Sequence, residues 1–269
     1  AWLHGQETDF RAAIEANVDL GVSSLVELRR ITDAGVASVH LKIDTGLHRN
    51  GASPEDWPAL VQAALDLQDA GRVRLAGLWS HLADASAEDD AAALAEFQAA
   101  LAVAAGLGVP MDGPDRPLLH LAASSAGIRM PAARFDLVRF GIAAYGVSPF
   151  DDVDARGLGM RAPMTVTAKI VRRHGDYAVL GIGSADGVPP TAIPAAPSGQ
   201  GAEVQLNDRR AGVFGITVDE TFVRASRHDQ VGDVAIVFGP GDRGEPTAED
   251  WAAWAGTIGD EILARASTR

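Results

Sequence analysis

The sequence predicts an α/β protein: a partial (β/α) barrel of the TIM type followed by a mostly β C-terminal domain. Three observations carry this. Strand-like and helix-like apolar periods alternate through the first half, the pattern of βα units around a parallel sheet. The second half replaces them with short β-like runs set between turn residues. A stretch rich in Gly, Pro and Asp over 146–157 separates the two patterns and reads as a linker. The domains are therefore drawn at 1–147 and 148–269.

Each element has a local reason. Residues 8–18 place Phe10, Ala13, Ile14 and Val18 at helical spacing, with Arg11 and Glu15 on the wetter side. Residues 19–22 read as a short strand, and Ser23 and Ser24 offer an N-cap to a helix over 25–34. Apolar and β-branched residues make 36–44 a strand. Ser53 is expected to cap the next helix, with Glu55 and Asp56 in the first turn, where the helix dipole favours negative charge. A strand over 75–82, an Ala-rich helix over 87–106 and strands over 118–122 and 135–142 follow. That gives five strands before residue 145, fewer than the eight of a closed barrel. In the second half the β-like runs are 164–171, 177–182, 201–206, 211–217 and 234–238, with a Pro- and Ala-rich exposed loop over 187–201. A closing helix starts after Thr247, with Glu249 and Asp250 in its first turn.

Composition narrows the function. With 36 acidic against 23 basic residues the formal charge is -13, which repels phosphate backbones and argues against nucleic-acid binding. Cysteine is absent, which removes disulfides, thiolate metal sites and thiol nucleophiles. No metal-ligand spacing of the H-E-x-x-H kind occurs. No leader or membrane segment is visible, so a soluble cytoplasmic protein is expected. The chain opens on Ala1 within an apolar phrase, read either as processing or as a start part-way through a longer protein.

Candidate chemistry gathers where strands end, the place at which βα barrels bind ligands. Lys42 and Lys169 are the only lysines. Alternation puts His40, Lys42 and Asp44 on one strand face. Lys42 there is either a perturbed amine or half of a structural ion pair. His81 ends the next strand as an acid–base, stacking or merely hydrogen-bonded histidine. His120 precedes Ser124 and Ser125, whose hydroxyls suit phosphate oxygens or a helix N-cap equally well. Arg139 lies before Gly141, a residue that lets a ligand approach the backbone.

Taken in order, these phrases resemble bacterial alanine racemase. The matching phrases include Leu41-Lys42-Ile43-Asp44-Thr45-Gly46 with Arg49, Ser80-His81, His120-Leu121-Ala122, Asp136-Leu137-Val138-Arg139-Phe140-Gly141-Ile142 with Tyr145-Gly146, and Ala185-Asp186-Gly187. The resemblance implies a pyridoxal 5'-phosphate enzyme interconverting L- and D-alanine through a cofactor aldimine, and a homodimer in which one chain's β domain completes its partner's site. It implies that Arg139 faces the pyridine nitrogen and, staying cationic, keeps the ring a weaker electron sink. It places His81 stacked on that ring and Ser124 with the backbone of Gly141 and Ile142 around the phosphate. Lys42 matches a lysine the family can carry as a carbamate. Arg49 matches an arginine near the cofactor's phenolic oxygen. Asp219 lies at the substrate-carboxylate loop.

The departures fall on the chemistry. The family's cofactor-binding lysine, in a phrase like V-K-A-N-A-Y-G-H-G, would lie upstream of Ala1, and neither lysine here matches it. The family tyrosine of G-Y-A-D-G is Ser184, a far weaker acid with a shorter reach. A second tyrosine, at the phosphate, falls at Asp260; the asparagine before the phosphate-binding serine is Ala123, and a methionine beside Asp219 is Val218. A V-S-Y-G loop is missing between Asp176 and Tyr177. The chain is therefore expected to be an impaired or inactive racemase relative, with an amino acid as substrate if active. The alternative is a non-catalytic binding or assembly module that pairs with an intact racemase.

Overall fold

A computed structural model describes residues 3–5, 7–84, 86–193 and 201–267. The chain divides into two compact units, Ala1–Phe140 and Gly141–Arg269. Among the described residues no helix is long and apolar enough to cross a membrane.

The first unit is a parallel sheet with helical crossovers. Strands β1 (Leu20–Val22), β2 (Ala37–Lys42), β3 (Val73–Trp79) and β4 (Leu118–His120) lie in chain order and pair in parallel throughout. Helices α1 (Phe10–Glu15), α2 (Leu25–Ala34), α3 (Trp57–Asp69), α4 (Ala87–Gly106) and α5 (Ser124–Arg129) alternate with them. This is the open βα arrangement that the sequence predicts. Helix α1 stops short of Val18 because Asn17 takes a left-handed conformation (φ 60°). Ser24 caps α2 by accepting from the Glu27 amide at 3.2 Å, and Ser86 caps α4 in the same way through Asp89 at 3.0 Å.

Two expectations need correction. Ser53 does not cap a helix over Glu55 and Asp56: those residues form a turn in which Ser53 and Asp56 bond each other, and α3 begins at Trp57. The fifth strand, over 135–142, is absent. Its amides are bound singly, Asp136 to the Leu119 carbonyl (3.0 Å) and Arg139 to the Ala122 carbonyl (3.1 Å), and Phe135 sits at φ 44°, where a strand cannot continue.

The core of this unit packs Leu28, Ile31, Trp57, Leu60, Val61 and Phe97 against the strands, all at or below 1 % exposure. Trp57 satisfies its indole N–H on the Ala100 carbonyl at 2.9 Å, tying α3 to α4.

The second unit closes on itself. Strands β5 (Val166–His174), β6 (Tyr177–Leu180), β7 (Glu203–Leu206), β8 (Arg209–Ile216), β9 (Thr221–Arg224) and β10 (Val234–Phe238) form an antiparallel barrel in the order β10-β5-β6-β9-β8-β7. Closure leaves no open edge, which an isolated sheet would expose to other chains. Helix α6 (Ala248–Ala255) starts in a capping box, Thr247 accepting from the Asp250 amide while Asp250 accepts from the Thr247 amide. It seats Trp251, fully buried, with its indole N–H on the Val237 carbonyl at 2.7 Å. Strand β9 and helix α7 (Gly259–Arg265) were not expected from sequence. Part of the predicted loop over 187–201 lies outside the described residues.

Phe97→Ala should lower the first unit's unfolding free energy by about 3–5 kcal/mol, because deleting a fully buried ring loses its burial and leaves a cavity. Thr247→Ala should cost the second unit about 1 kcal/mol through loss of its cap. Urea titrations followed by amide exchange of β3 and of β10 separate the two effects.

Candidate active site

The site residues of the first unit hang from the carboxyl ends of β2, β3 and β4. The plane they share is the indole of Trp79. His120 stacks on it with ring centroids 5.3 Å apart and planes 19° from parallel. The Arg139 guanidinium carbon lies 4.8 Å from the indole centroid and the Lys42 Nζ 5.0 Å. Lys42 and Trp79 are register partners on neighbouring strands, which is why they meet.

Arg139 is held on several sides. Its Nη2 donates to the carbonyls of Ser80 and Leu121, both at 2.9 Å, and to His81 Nδ1 at 3.0 Å. Its Nη1 donates to His120 Nδ1 at 2.7 Å. A guanidinium has donors only, so both imidazoles must present a bare Nδ1 and are neutral. Burial first, then the Arg139 charge, pulls His81 down to about 4 and His120 to about 3. Burial, with Arg49 adding repulsion, also draws Arg139 down to about 10, which still leaves it cationic at neutral pH. Its Nε is buried without a hydrogen-bond partner.

Lys42 is 2 % exposed. The expected alternative of an ion pair with Asp44 does not form. Asp44 instead accepts from the amides of Gly46 and His48, each at 3.1 Å, and from the His48 ring, closing the loop after β2. Lys42 donates to Asn50 Oδ1 at 2.8 Å. The loop returns Asn50 to that place through a bridge between Ile43 and Ala52, and Gly51 at φ 134° leaves no room for a Cβ, which would lie 2.6 Å from the Asp44 nitrogen. Burial, then Arg49, brings Lys42 down to about 8. Arg49 is exposed on the same loop, close enough for its charge to act on Lys42, His81 and Arg139.

Ser124 is buried at the first turn of α5. Neither it nor Ser125 is the N-cap: that residue is Ala123, which has no capping side chain. Gly141 and Ile142 open the second unit, and a Cβ built on Gly141 would meet nothing within 4 Å. Ser184 and Asp219 also belong to the second unit, on two loops that clasp each other. The Ser184 amide donates to the Thr217 carbonyl at 2.9 Å and the Ala185 amide to the Val218 carbonyl at 3.0 Å. A Cβ on Gly183 would stand 2.4 Å from the Val218 oxygen, so only glycine permits the clasp. Asp260 is exposed in the first turn of α7, where a carboxylate suits the helix dipole.

Alanine racemase models match both halves: the N-terminal domain over residues 1–149 and the C-terminal domain over residues 166–269. The chain belongs to the alanine racemase family. It is 38% identical to the alanine racemase of Thermobifida fusca, covering 100% of this chain and 76% of that protein, and 38% identical to that of Mycobacterium tuberculosis over 98% and 73%. The solved alanine racemase of Streptomyces coelicolor superposes with a TM-score of 0.89 at 36% identity, covering 99% of this chain and 75% of that one. The Streptomyces lavendulae enzyme gives 0.88 at 34% identity, covering 100% and 75%. Alanine racemases depend on pyridoxal phosphate, so the family implies that cofactor.

Two residues that sequence reasoning left out, Trp79 and Asn50, organise this racemase-like centre. Their signal is register: Trp79 matters because it lies beside Lys42, which no single segment reveals.

Acidification should destabilise the first unit. His40, His81 and His120 all have folded values below the ordinary 6.5, so the unfolded chain takes up protons first as pH drops. Stability is then lost on going from pH 6.5 toward 4, and amide exchange in β2 and β3 measured across that window should accelerate. Imidazole nitrogen NMR should find His81 and His120 still neutral at pH 5.

Proposed function

We propose that this chain keeps the cofactor-holding half of an alanine racemase site, with Ser184 at the position of the family's proton-transferring tyrosine. The observation that carries this reading is Arg139: a half-buried guanidinium locked by two carbonyls and two histidines, with its buried Nε left without a partner. Such a donor is poised for an acceptor from a ligand, and a pyridine nitrogen suits it. The surplus of cations at Lys42, Arg49 and Arg139 favours an anionic ligand.

Pyridoxal 5'-phosphate, when bound, supplies an electron-withdrawing ring that acidifies the Cα–H of an amino acid. In this reading Arg139 would donate to the ring nitrogen, and neutral His81 would face the ring. Ser124, buried at the first turn of α5, would take a phosphate oxygen. Arg49 stands near the phenolic oxygen. Lys42, partly deprotonated near neutral pH, is the residue able to carry a carbamate. Asp219 presents the loop for the substrate carboxylate.

The hydroxyl at Ser184 ionises far less readily than a phenol and reaches less far, which makes it a poor second proton-transfer group. The substrate class is a small amino acid, and pairing is with a second copy or with an intact racemase. The substitutions at Ser184 and Asp260 favour a second reading, a non-catalytic module that binds cofactor and partner without turnover.

Calorimetry with pyridoxal phosphate should detect binding, and Arg139→Ala should weaken it on the order of tenfold or more, the loss expected for a charged hydrogen bond. The purified chain by itself should form no D-alanine from L-alanine. Turnover by the unmixed chain would overturn the assignment of an impaired site.

A further inference from the structure

The contacts around Arg139 continue outward beyond the residues assigned above. His120, which accepts from Arg139 at Nδ1, has its other ring nitrogen 2.9 Å from His40 Nδ1. The far nitrogen of His40 lies 3.3 Å from Asp19 Oδ2. Asp19 is 47% exposed at its side chain, so the line runs from the surface inward to the half-buried Arg139.

The chemistry of the two ends fixes everything between them. Arg139 can only donate, so His120 Nδ1 carries no proton and its Nε2 does. His120 Nε2–H therefore donates to His40 Nδ1, which is bare in turn. His40 Nε2–H then donates to Asp19, which as a carboxylate can only accept. Each link admits one tautomer. Burial lowers both imidazoles below their ordinary value, in keeping with neutral rings.

The fold is also adapted to this line. A Cβ on Gly77 would fall 2.0 Å from His40 Nδ1, so the position opposite His40 holds no side chain. The β2–β3 register shifts between Val39 and His40, at the residue that must aim its ring across the neighbouring strand.

We propose that Asp19 is a positioning residue: through His40 and His120 it sets the tautomer that Arg139 faces, and so holds the guanidinium in its orientation. The consequence for ligand binding rests on the reading of Arg139 as the cofactor-facing cation; the tautomer order does not. The groups facing this line are Asp19 and Arg74 at the outer end, with Asp136 and Arg139 at the inner end. Arg74 meets Asp19 at 3.7 Å, and Arg116 pairs with Asp136.

Nitrogen-15 NMR of the histidine-labelled full chain tests the proposal. The wild type should show His40 and His120 both as Nε2–H tautomers at neutral pH. Asp19→Ala should give His40 a mixture of tautomers and broaden or split the His120 signals. Asp19→Asn, which keeps an acceptor oxygen, should restore the wild-type pattern. Calorimetry with pyridoxal phosphate should find Asp19→Ala about threefold to tenfold weaker and Asp19→Asn near the wild type. Wild-type tautomers other than Nε2–H, or an Asp19→Ala chain with both rings unchanged, would overturn the proposal. Correct tautomers without cofactor binding in any variant would leave the line of hydrogen bonds standing and remove the cofactor reading instead.

Discussion

A guanidinium withdrawn from water needs acceptors for its donors, and a poor set is costly in a low-dielectric interior. The first unit solves this for Arg139 with carbonyls from the ends of β3 and β4 and imidazoles from the same ends. That solution dictates much of what surrounds it. The segment after Pro131 gives up ladder pairing to deliver Arg139 beneath the strand ends. His81 and His120 are kept neutral so that they can accept. Trp79 supplies a face on which the cation and an imidazole rest. The same field acts on Lys42, which finds a neutral amide partner in Asn50 rather than a carboxylate.

Positions 184 and 260, in the second unit, have a different character. Ser184 and Asp260 occupy well-formed local structure. Ser184 begins a turn clasped by the 217–220 loop, and Asp260 stands where a helix start favours an acid. In each case backbone contacts, rather than the side chain, shape the local structure. A side chain at either position can therefore vary without disturbing the loop that carries it, because the backbone contacts that shape each loop do not pass through that side chain.

Much of this was legible in the sequence where the cause is local. Helices announced by Ser24 and Thr247 begin where those caps predict, since one side-chain oxygen on one amide decides the start. Strand β10 is long and apolar enough to stand out. Failures occurred where the deciding partner is remote. The 135–142 segment has the composition of a strand, yet its amides go to Leu119 and Ala122. Strand β9 has only four residues, and β6 and β8 define it by pairing. At the site, residue types and order pointed to Lys42, His81 and Arg139, whereas Trp79 and Asn50 needed register and loop closure to be seen.

Gly77 and His40 carry a further implication. The ring of one fills the space that the other leaves empty, so neither position can change alone without harm. Any side chain at 77 demands a shorter residue at 40, and a shorter residue at 40 leaves a hole that a methyl at 77 would fill. Evolution and engineering must therefore treat the two as a single unit of variation, passing from one compatible pair to another through intermediates less fit than either.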